Sequence, residues 1–325
     1  MPENAKNRWL RVSRKTPCPI CGRGDWCGVA ADGSAASCMR VEQGAVKRLR
    51  NDAWLHRLDG RSRPDQATLF EMGQRQAAGR EKDPAKIASL NDLYRRQATP
   101  RHLDELAAKL GLSSAAPLRA VGVGYSTRHP GWSLPSRDGQ GRLVGLQIRR
   151  RDGGKQFVTG SRQGLFLPER LKEHTAAAPR SPIVVTEGGS DLLVSMDMAR
   201  RHAAEQRGRG RGSAGKPPLP SWRSVGRASI AGGEEMVAEL IARHHPDGRV
   251  RVFVAADADD QGIDGAHRLA DRLREGRDGR PPVTQASVLV PEGAKDLRER
   301  VAAGLTPRQM ADAIGVRLRE RGASL

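Results

Sequence analysis

The chain has 325 residues, 37% hydrophobic and only 3% aromatic, and its 56 Lys and Arg against 37 Asp and Glu leave a net charge of +19. No stretch approaches the ~20 apolar residues of a membrane span, and residues 1–15 are polar and basic, without the apolar core of a secretory signal. Membrane and secreted classes are therefore excluded, a cytoplasmic location is expected, and the length suits two or three modules at ~100–200 residues each.

The charge is uneven: +7 over residues 1–63, 0 over 64–95, +9 over 96–180, +1 over 181–300 and +2 over 301–325. Excess Lys and Arg attracts a polyanion and releases counterions when one binds. An Arg-rich solubilising surface is the plain alternative, but a bias of codon usage would raise every segment alike.

Residues 1–63 hold all four cysteines, Cys18, Cys21, Cys27 and Cys38, within a span of 21 residues. Cys18-x-x-Cys21, preceded by Pro17 and followed by Gly22, reads as a knuckle turn that aims two thiolates and several N–H groups at one point. Cys27 and Cys38 supply a second pair. Four thiolates suit tetrahedral Zn2+, whereas disulfides are disfavoured in a cytosolic chain. The gap of five residues before Cys27 departs from a second x2 pair. His56 is the nearest substitute ligand and reads more simply as a surface histidine.

Residues 64–95 are polar and neutral and read as a linker with a short helix. Residues 100–111 have helical spacing and a glycine stop. Between 119 and 168, short apolar runs broken by glycine, with Asp138-Gly139 as a hairpin turn, predict a meander of strands. From 181 the pattern alternates: strands near 183–185, 228–231, 250–255 and 286–290, and helices over 192–200, 236–243, 265–274 and 295–303. Such alternation predicts a parallel sheet with helices on its faces. The Gly/Arg/Pro-rich run 208–220 reads as a disordered basic insert, and 306–321 as one capped helix.

Two of these strands end in acids. The first runs into Glu187-Gly188-Gly189, with Asp191 in the first turn of the next helix. The other runs into Asp257-Ala258-Asp259-Asp260. In open α/β sheets ligands bind at the carboxyl ends of the strands. Carboxylates gathered there cannot all stay charged without a cation, and oxygen ligands suit Mg2+ or Mn2+. Alternate residues of an extended segment point the same way, so Asp257 and Asp259 can share an ion while Asp260 points elsewhere. Acids that merely face water in a loop are the plain alternative.

Thr186-Glu187-Gly188-Gly189-Ser190-Asp191, 228–233, Ala256-Asp257-Ala258-Asp259-Asp260-Gln261-Gly262 and the segment from Pro291 to Lys295-Asp296 together resemble the toprim domain shared by topoisomerases and bacterial-type primases. Upstream, Gly122-Val123-Gly124-Tyr125, 138–145 and Lys155-Gln156-Phe157 resemble the basic subdomain that precedes toprim in primase cores. The cysteine spacing is more similar to primase-type zinc fingers of phage and mobile-element proteins than to that of replicative primases. The resemblance implies an α/β fold: a zinc-binding module (1–63), a linker and helix (64–95), a small mixed α+β basic subdomain (96–180), a toprim parallel-sheet catalytic domain (181–300) and a C-terminal helix (301–325).

It further implies a DNA primase-type nucleotidyltransferase that makes short RNA primers on single-stranded DNA from NTPs, in phage, plasmid or mobile-element replication. Glu187, Asp257 and Asp259 would hold Mg2+ or Mn2+, supported by Asp191 and Asp260. Arg149, Arg150, Lys155 and Lys295 would bind nucleotide and template, and Arg23, Arg40, Lys47 and Arg48 of the zinc module would hold template. Trp26 could stack on a base or pack on the knuckle. The roughly 30 residues after Lys295-Asp296 are too few for a helicase domain, so a separate helicase is an expected partner. A toprim nuclease and a non-catalytic DNA-binding replication adaptor remain open. Tyr94 and Tyr125 sit in no recognisable cleavage setting, which argues against a topoisomerase.

Overall fold

The computed structural model describes residues 9–49, 52–60, 62–69, 71–72, 84–209, 219–227, 233–276, 279 and 281–315. The chain divides into two compact units, Met1–Lys82 and Asp83–Leu325.

The first unit is an antiparallel sheet of β1 (Trp9–Arg11), β2 (Gly28–Ala30), β3 (Ala35–Cys38), β4 (Lys47–Arg48) and β5 (Trp54–Arg57), in the order β1-β2-β3-β5-β4. Its buried apolar cluster is small: Leu10, Val12, Val29, Leu69 and Met72 around Cys18, Cys27 and Cys38. A unit of this size has little core to stabilise it and depends on staples. His56 is not on the surface. It is 3% exposed on β5, and its Nε2 lies 2.8 Å from the Val41 carbonyl oxygen, a bond that ties the loop after β3 to the sheet.

The second unit runs α1 (Pro84–Gln97), α2 (Pro100–Leu110), α3 (Ala116–Val121), β6 (Gly124–Ser126), β7 (Gly131–Arg137), β8 (Leu143–Arg150), β9 (Lys155–Phe157), β10 (Leu165–Phe166), α4 (Leu171–Ala177), β11 (Ile183–Glu187), α5 (Gly189–Arg209), β12 (Arg223–Arg227), α6 (Glu234–His244), β13 (Arg251–Ala255), α7 (Asp260–Glu275), β14 (Gln285–Leu289), α8 (Leu297–Ala302) and α9 (Pro307–Ala313). The expected glycine stop is in place: Thr99 and His102 form a capping box, Pro100 opens α2, and Gly111 closes it at φ 68°. The helix expected in the segment 64–95 is 14-residue α1, which runs on to Gln97 and packs Ile87 and Tyr94 against Leu146 and Ile148 of β8.

One mixed sheet spans the unit in the order β14-β13-β11-β12-β10-β7-β8-β9, with β6 on β7. The four strands from β14 to β12 are parallel. The predicted parallel domain and basic meander thus share a sheet, joined where two-residue β10 pairs antiparallel with both β12 and β7. Strand alternation sets the layers. Ile183 and Val185 join a core with α6 and α7, whereas Val184 between them joins one with α5 and α9. The strand expected at 228–231, and parts of the basic insert and C-terminal helix, lie outside the described residues; the strand seen is β12. No described helix is long and apolar enough to cross a membrane.

A buried basic cluster has a measurable consequence. Arg223 Nη1 lies 2.8 Å from His245 Nε2 and donates to Thr175 Oγ1 at 3.0 Å. Burial, then the Arg223 charge, pushes the His245 imidazole down to about 4. The fold therefore holds His245 neutral. That stability is complete above the ordinary imidazole value of ~6.5 and is lost as pH falls toward 4. The melting temperature should drop more steeply between pH 6.5 and 4.5 in the native chain than in a His245→Asn variant; equal slopes would refute the assignment.

Candidate functional site

Topology places the acids. The chain leaves β11 for β12 on one side of the sheet and later leaves β13 for β14 on the other, so β11 and β13 flank a switch point. Such points open a crevice beyond the carboxyl ends of the strands. The β11–β13 register, Ile183 with Val252 through Val185 with Val254, extrapolates to Glu187 opposite Ala256, next to Asp257. Gly188, at φ +89°, makes the sharp exit from β11, and its N–H donates to the Arg227 carbonyl at 2.7 Å.

Asp191, 7% exposed in the first turn of α5, accepts the Arg298 N–H at 3.0 Å. Asp259 caps α7, its Oδ1 accepting from Gly262 N at 2.7 Å. Asp260 is the exposed first residue of that helix. Gly262 allows the close approach: a Cβ there would lie 2.5 Å from the Asp257 carbonyl oxygen.

The acids feel one another. Burial, then the Asp257 charge with those of Asp259 and Asp191, pushes Glu187 up to about 7, against the pull of Arg227. Burial, then Asp296, pushes Asp191 up to about 7. Burial, Asp296 and Asp259 raise Asp257, opposed by Lys295 and Lys155. Asp296 is the member that the sequence reading left without a role. It caps α8, with Oδ1 accepting Glu299 N–H at 2.8 Å and Oδ2 facing Arg298 Nη2 at 3.2 Å. Its position just before an apolar helical turn was the signal.

Cations line the same crevice. Arg149 on β8 and Lys155 on β9 are cross-strand partners. Arg149 Nη1 donates to Ser190 Oγ at 3.0 Å, and Lys155 Nζ lies 3.9 Å from where a Gly188 Cβ would stand. Burial, then Arg149 and Arg298, holds Lys155 below its ordinary value. Lys295 takes part through its backbone as well, its carbonyl accepting Ala258 N–H at 2.7 Å. Arg150 alternates to the other face of β8 and pairs with Asp152 at 3.4 Å. The structure thus brings Arg149, Lys155 and Lys295 to the acids and leaves Arg150 apart.

The residues fit a divalent cation. Glu187 Oε2 is buried without a hydrogen-bond partner among the described residues, and crowding holds three acids toward neutrality until positive charge arrives. Among the described residues, the one set of three or more His, Cys, Asp or Glu side chains gathered as a metal-ligand group is Cys18, Cys21, Cys27 and Cys38, whose sulfurs all lie within 4.8 Å of one another.

Those sulfurs fit zinc. Cys21 and Cys27 are 3.7 Å apart and Cys27 and Cys38 4.0 Å, close to the ~3.8 Å edge of a tetrahedron with 2.3 Å Zn–S bonds. Met39 N–H donates to Cys27 Sγ and Arg40 N–H to Cys38 Sγ, both at 3.4 Å. Burial pushes the Cys18 thiol up to about 12. Burial also pushes up Cys21, but the Arg23 N–H and three neighbouring thiols outweigh it, and Cys21 falls to about 7. Arg40 is engaged at the cluster, paired with Asp25 at 2.9 Å and reaching Cys27 Sγ at 3.8 Å. Arg48 pairs with Asp52 and lies over the Trp54 ring. Arg23 and Lys47 are exposed. Trp26 does not pack on the knuckle: it is 69% exposed at a positive φ of 63°.

No protein-family model and no curated protein matches the sequence. Among solved structures, the chain is similar to the zinc-binding and RNA polymerase domains of Aquifex aeolicus primase, with a TM-score of 0.50 and 15% identity over 92% of this chain and 77% of that one. The fold is that of those two primase domains. More distant likenesses are to the RNA polymerase domain of Mycobacterium tuberculosis primase DnaG in complex with double-stranded DNA (TM-score 0.47, 18% identity, 71% and 79% covered) and to the primase fragment of the bacteriophage T7 primase-helicase protein (0.41, 18%, 63% and 72%). The structural neighbours are thus bacterial and phage primase catalytic cores.

Proposed function

We propose that the chain is a DNA primase-type nucleotidyltransferase that joins ribonucleotides on a single-stranded DNA template. The observation that carries this reading is the ring of Glu187, Asp191, Asp257, Asp259 and Asp296 at the sheet switch point, faced by Arg149, Lys155 and Lys295. The primase-like fold supports it.

Glu187, Asp257 and Asp259 would hold Mg2+ or Mn2+, with Asp191, Asp260 and Asp296 as supports. Such ions would supply charge neutralisation and activation of an attacking hydroxyl, and Mg2+ keeps several waters when it binds. Arg149 and Lys155, half-desolvated beside Ser190 and Gly188, are placed to neutralise a triphosphate. The exposed basic side chains of the zinc module, Arg23 and Lys47, suit phosphate contacts that position template without reading sequence. In this reading residues 1–63 bind zinc and template, 96–180 nucleotide, and 181–300 the metals. A phage or mobile-element setting and a separate helicase belong to the same proposal.

The test is incubation of the chain with single-stranded DNA, labelled NTPs and Mg2+ or Mn2+; absence of RNA products under all of these would overturn it. Arg149→Ala should raise the KM for NTP about tenfold, with a smaller change in kcat, because the lost contact acts on bound substrate as much as on the transition state. An unchanged KM would remove Arg149 from the nucleotide site.

A further inference from the structure

We propose that Arg298 is a resident counter-ion of the acidic crevice: its guanidinium takes the place of a second divalent cation, so that the crevice admits one such ion, held by Glu187, Asp257 and Asp259. The inference rests on the metal-dependent reading above and goes beyond it, because five gathered carboxylates would otherwise offer room for the paired ions of a two-metal site.

Arg298 is the second residue of α8 and is held in two ways. Its backbone N–H donates to Asp191 Oδ1 at 3.0 Å, and its Nη2 donates to Asp296 Oδ2 at 3.2 Å. The other Asp296 oxygen, Oδ1, accepts the Glu299 N–H at 2.8 Å. Three of the four carboxylate oxygens of Asp191 and Asp296 are thus taken by protein donors. The remaining acids are more open. Glu187 Oε2 is buried with no partner among the described residues, and Asp259 has given only its Oδ1, to the Gly262 N–H.

The charges divide in the same way. Asp191 feels the Arg298 charge, and so do Arg149 and Lys155, each of which it opposes. Three cations therefore face the two acids Asp191 and Asp296, and this part of the crevice is positive before any ion arrives. A divalent cation placed there meets repulsion, whereas phosphate oxygens meet attraction. Glu187, Asp257 and Asp259 are three acids, opposed by Arg227 at Glu187 and by Lys295 and the shared Lys155 at Asp257, and theirs is the part that still calls for an ion. A guanidinium supplies charge and fixed donors and stays protonated. It neutralises phosphate but cannot acidify a hydroxyl, so the two cation positions differ in what they do.

The experiment is titration of the zinc-loaded full chain with Mn2+ alone, the free ion read by electron paramagnetic resonance. One tightly bound Mn2+ per native chain is expected. Arg298→Ala should bind two, because the side chain's loss frees Asp296 Oδ2 beside Asp191 while the backbone bond to Asp191 survives; two ions about 4 Å apart would also broaden each other's spectra. Arg298→Gln, which keeps a polar side chain and removes the charge, replaces the alanine variant if that one does not melt as the native chain does. Adding Asp296→Asn should return the count to one. Two ions in the native chain, or one in a folded Arg298 variant, would overturn the inference and leave primer synthesis untouched as a separate result. No bound ion in either protein would overturn it together with the assignment of the metal ligands.

Discussion

An Asp257→Asn chain is expected to lose primer synthesis by about 10³-fold or more, roughly 4 kcal/mol of transition-state stabilisation, while remaining folded. Asp257 lies just past the end of β13, beside Glu187, and its charge is the largest external influence on that carboxylate. The amide keeps the shape and removes the charge. Three acids in this crevice are already held toward neutrality by burial and mutual repulsion, so removing one negative charge relieves strain in the metal-free chain. The melting temperature of the variant should thus equal or exceed that of the native chain. This sign separates loss of a metal ligand from loss of the fold. Undiminished synthesis by the variant would refute the assignment of the acids.

The second large effect concerns the thiols. The chain should carry about one zinc ion, and its removal by a chelator should unfold the first unit, at a cost on the order of 10 kcal/mol of binding free energy. Three of the cysteines are core residues of that unit, so its folding and its metal are one equilibrium. Amide exchange in residues 9–60 should become fast on chelation, with β11 and β13 still protected. Cys38→Ser should behave as the chelated chain. Elemental analysis finding no zinc in a chain whose first unit stays protected would end the assignment.

Much of this was legible from residue order. Clustered cysteines, strand–helix alternation from 181 and acids just past two apolar runs each carry a local signal. The elements with the weakest signal are those whose burial is polar. β12 reads Arg-Ser-Val-Gly-Arg yet is wholly buried, because Arg223 is bonded by Thr175 and His245 and Ser224 by Ser195. In α1, Asn91 interrupts the Ile87 and Tyr94 stripe and hides its helical period. His56 found a carbonyl inside the small unit, which composition could not foretell. Arg149 and Arg150 are indistinguishable by type, and only the pleat and the pairing of β8 with β9 decide which one meets the crevice.

Asp259 serves two masters. One carboxylate oxygen is fixed by the Gly262 amide at the start of α7, so the side chain's rotamer freedom was surrendered when the helix formed. Its second oxygen is thereby held in place, and in the proposed metal site a cation would have less motion to freeze there. Exchanging the cap for an alanine would therefore weaken ion capture twice, by removing a donor atom and by loosening the turn that aims its neighbours.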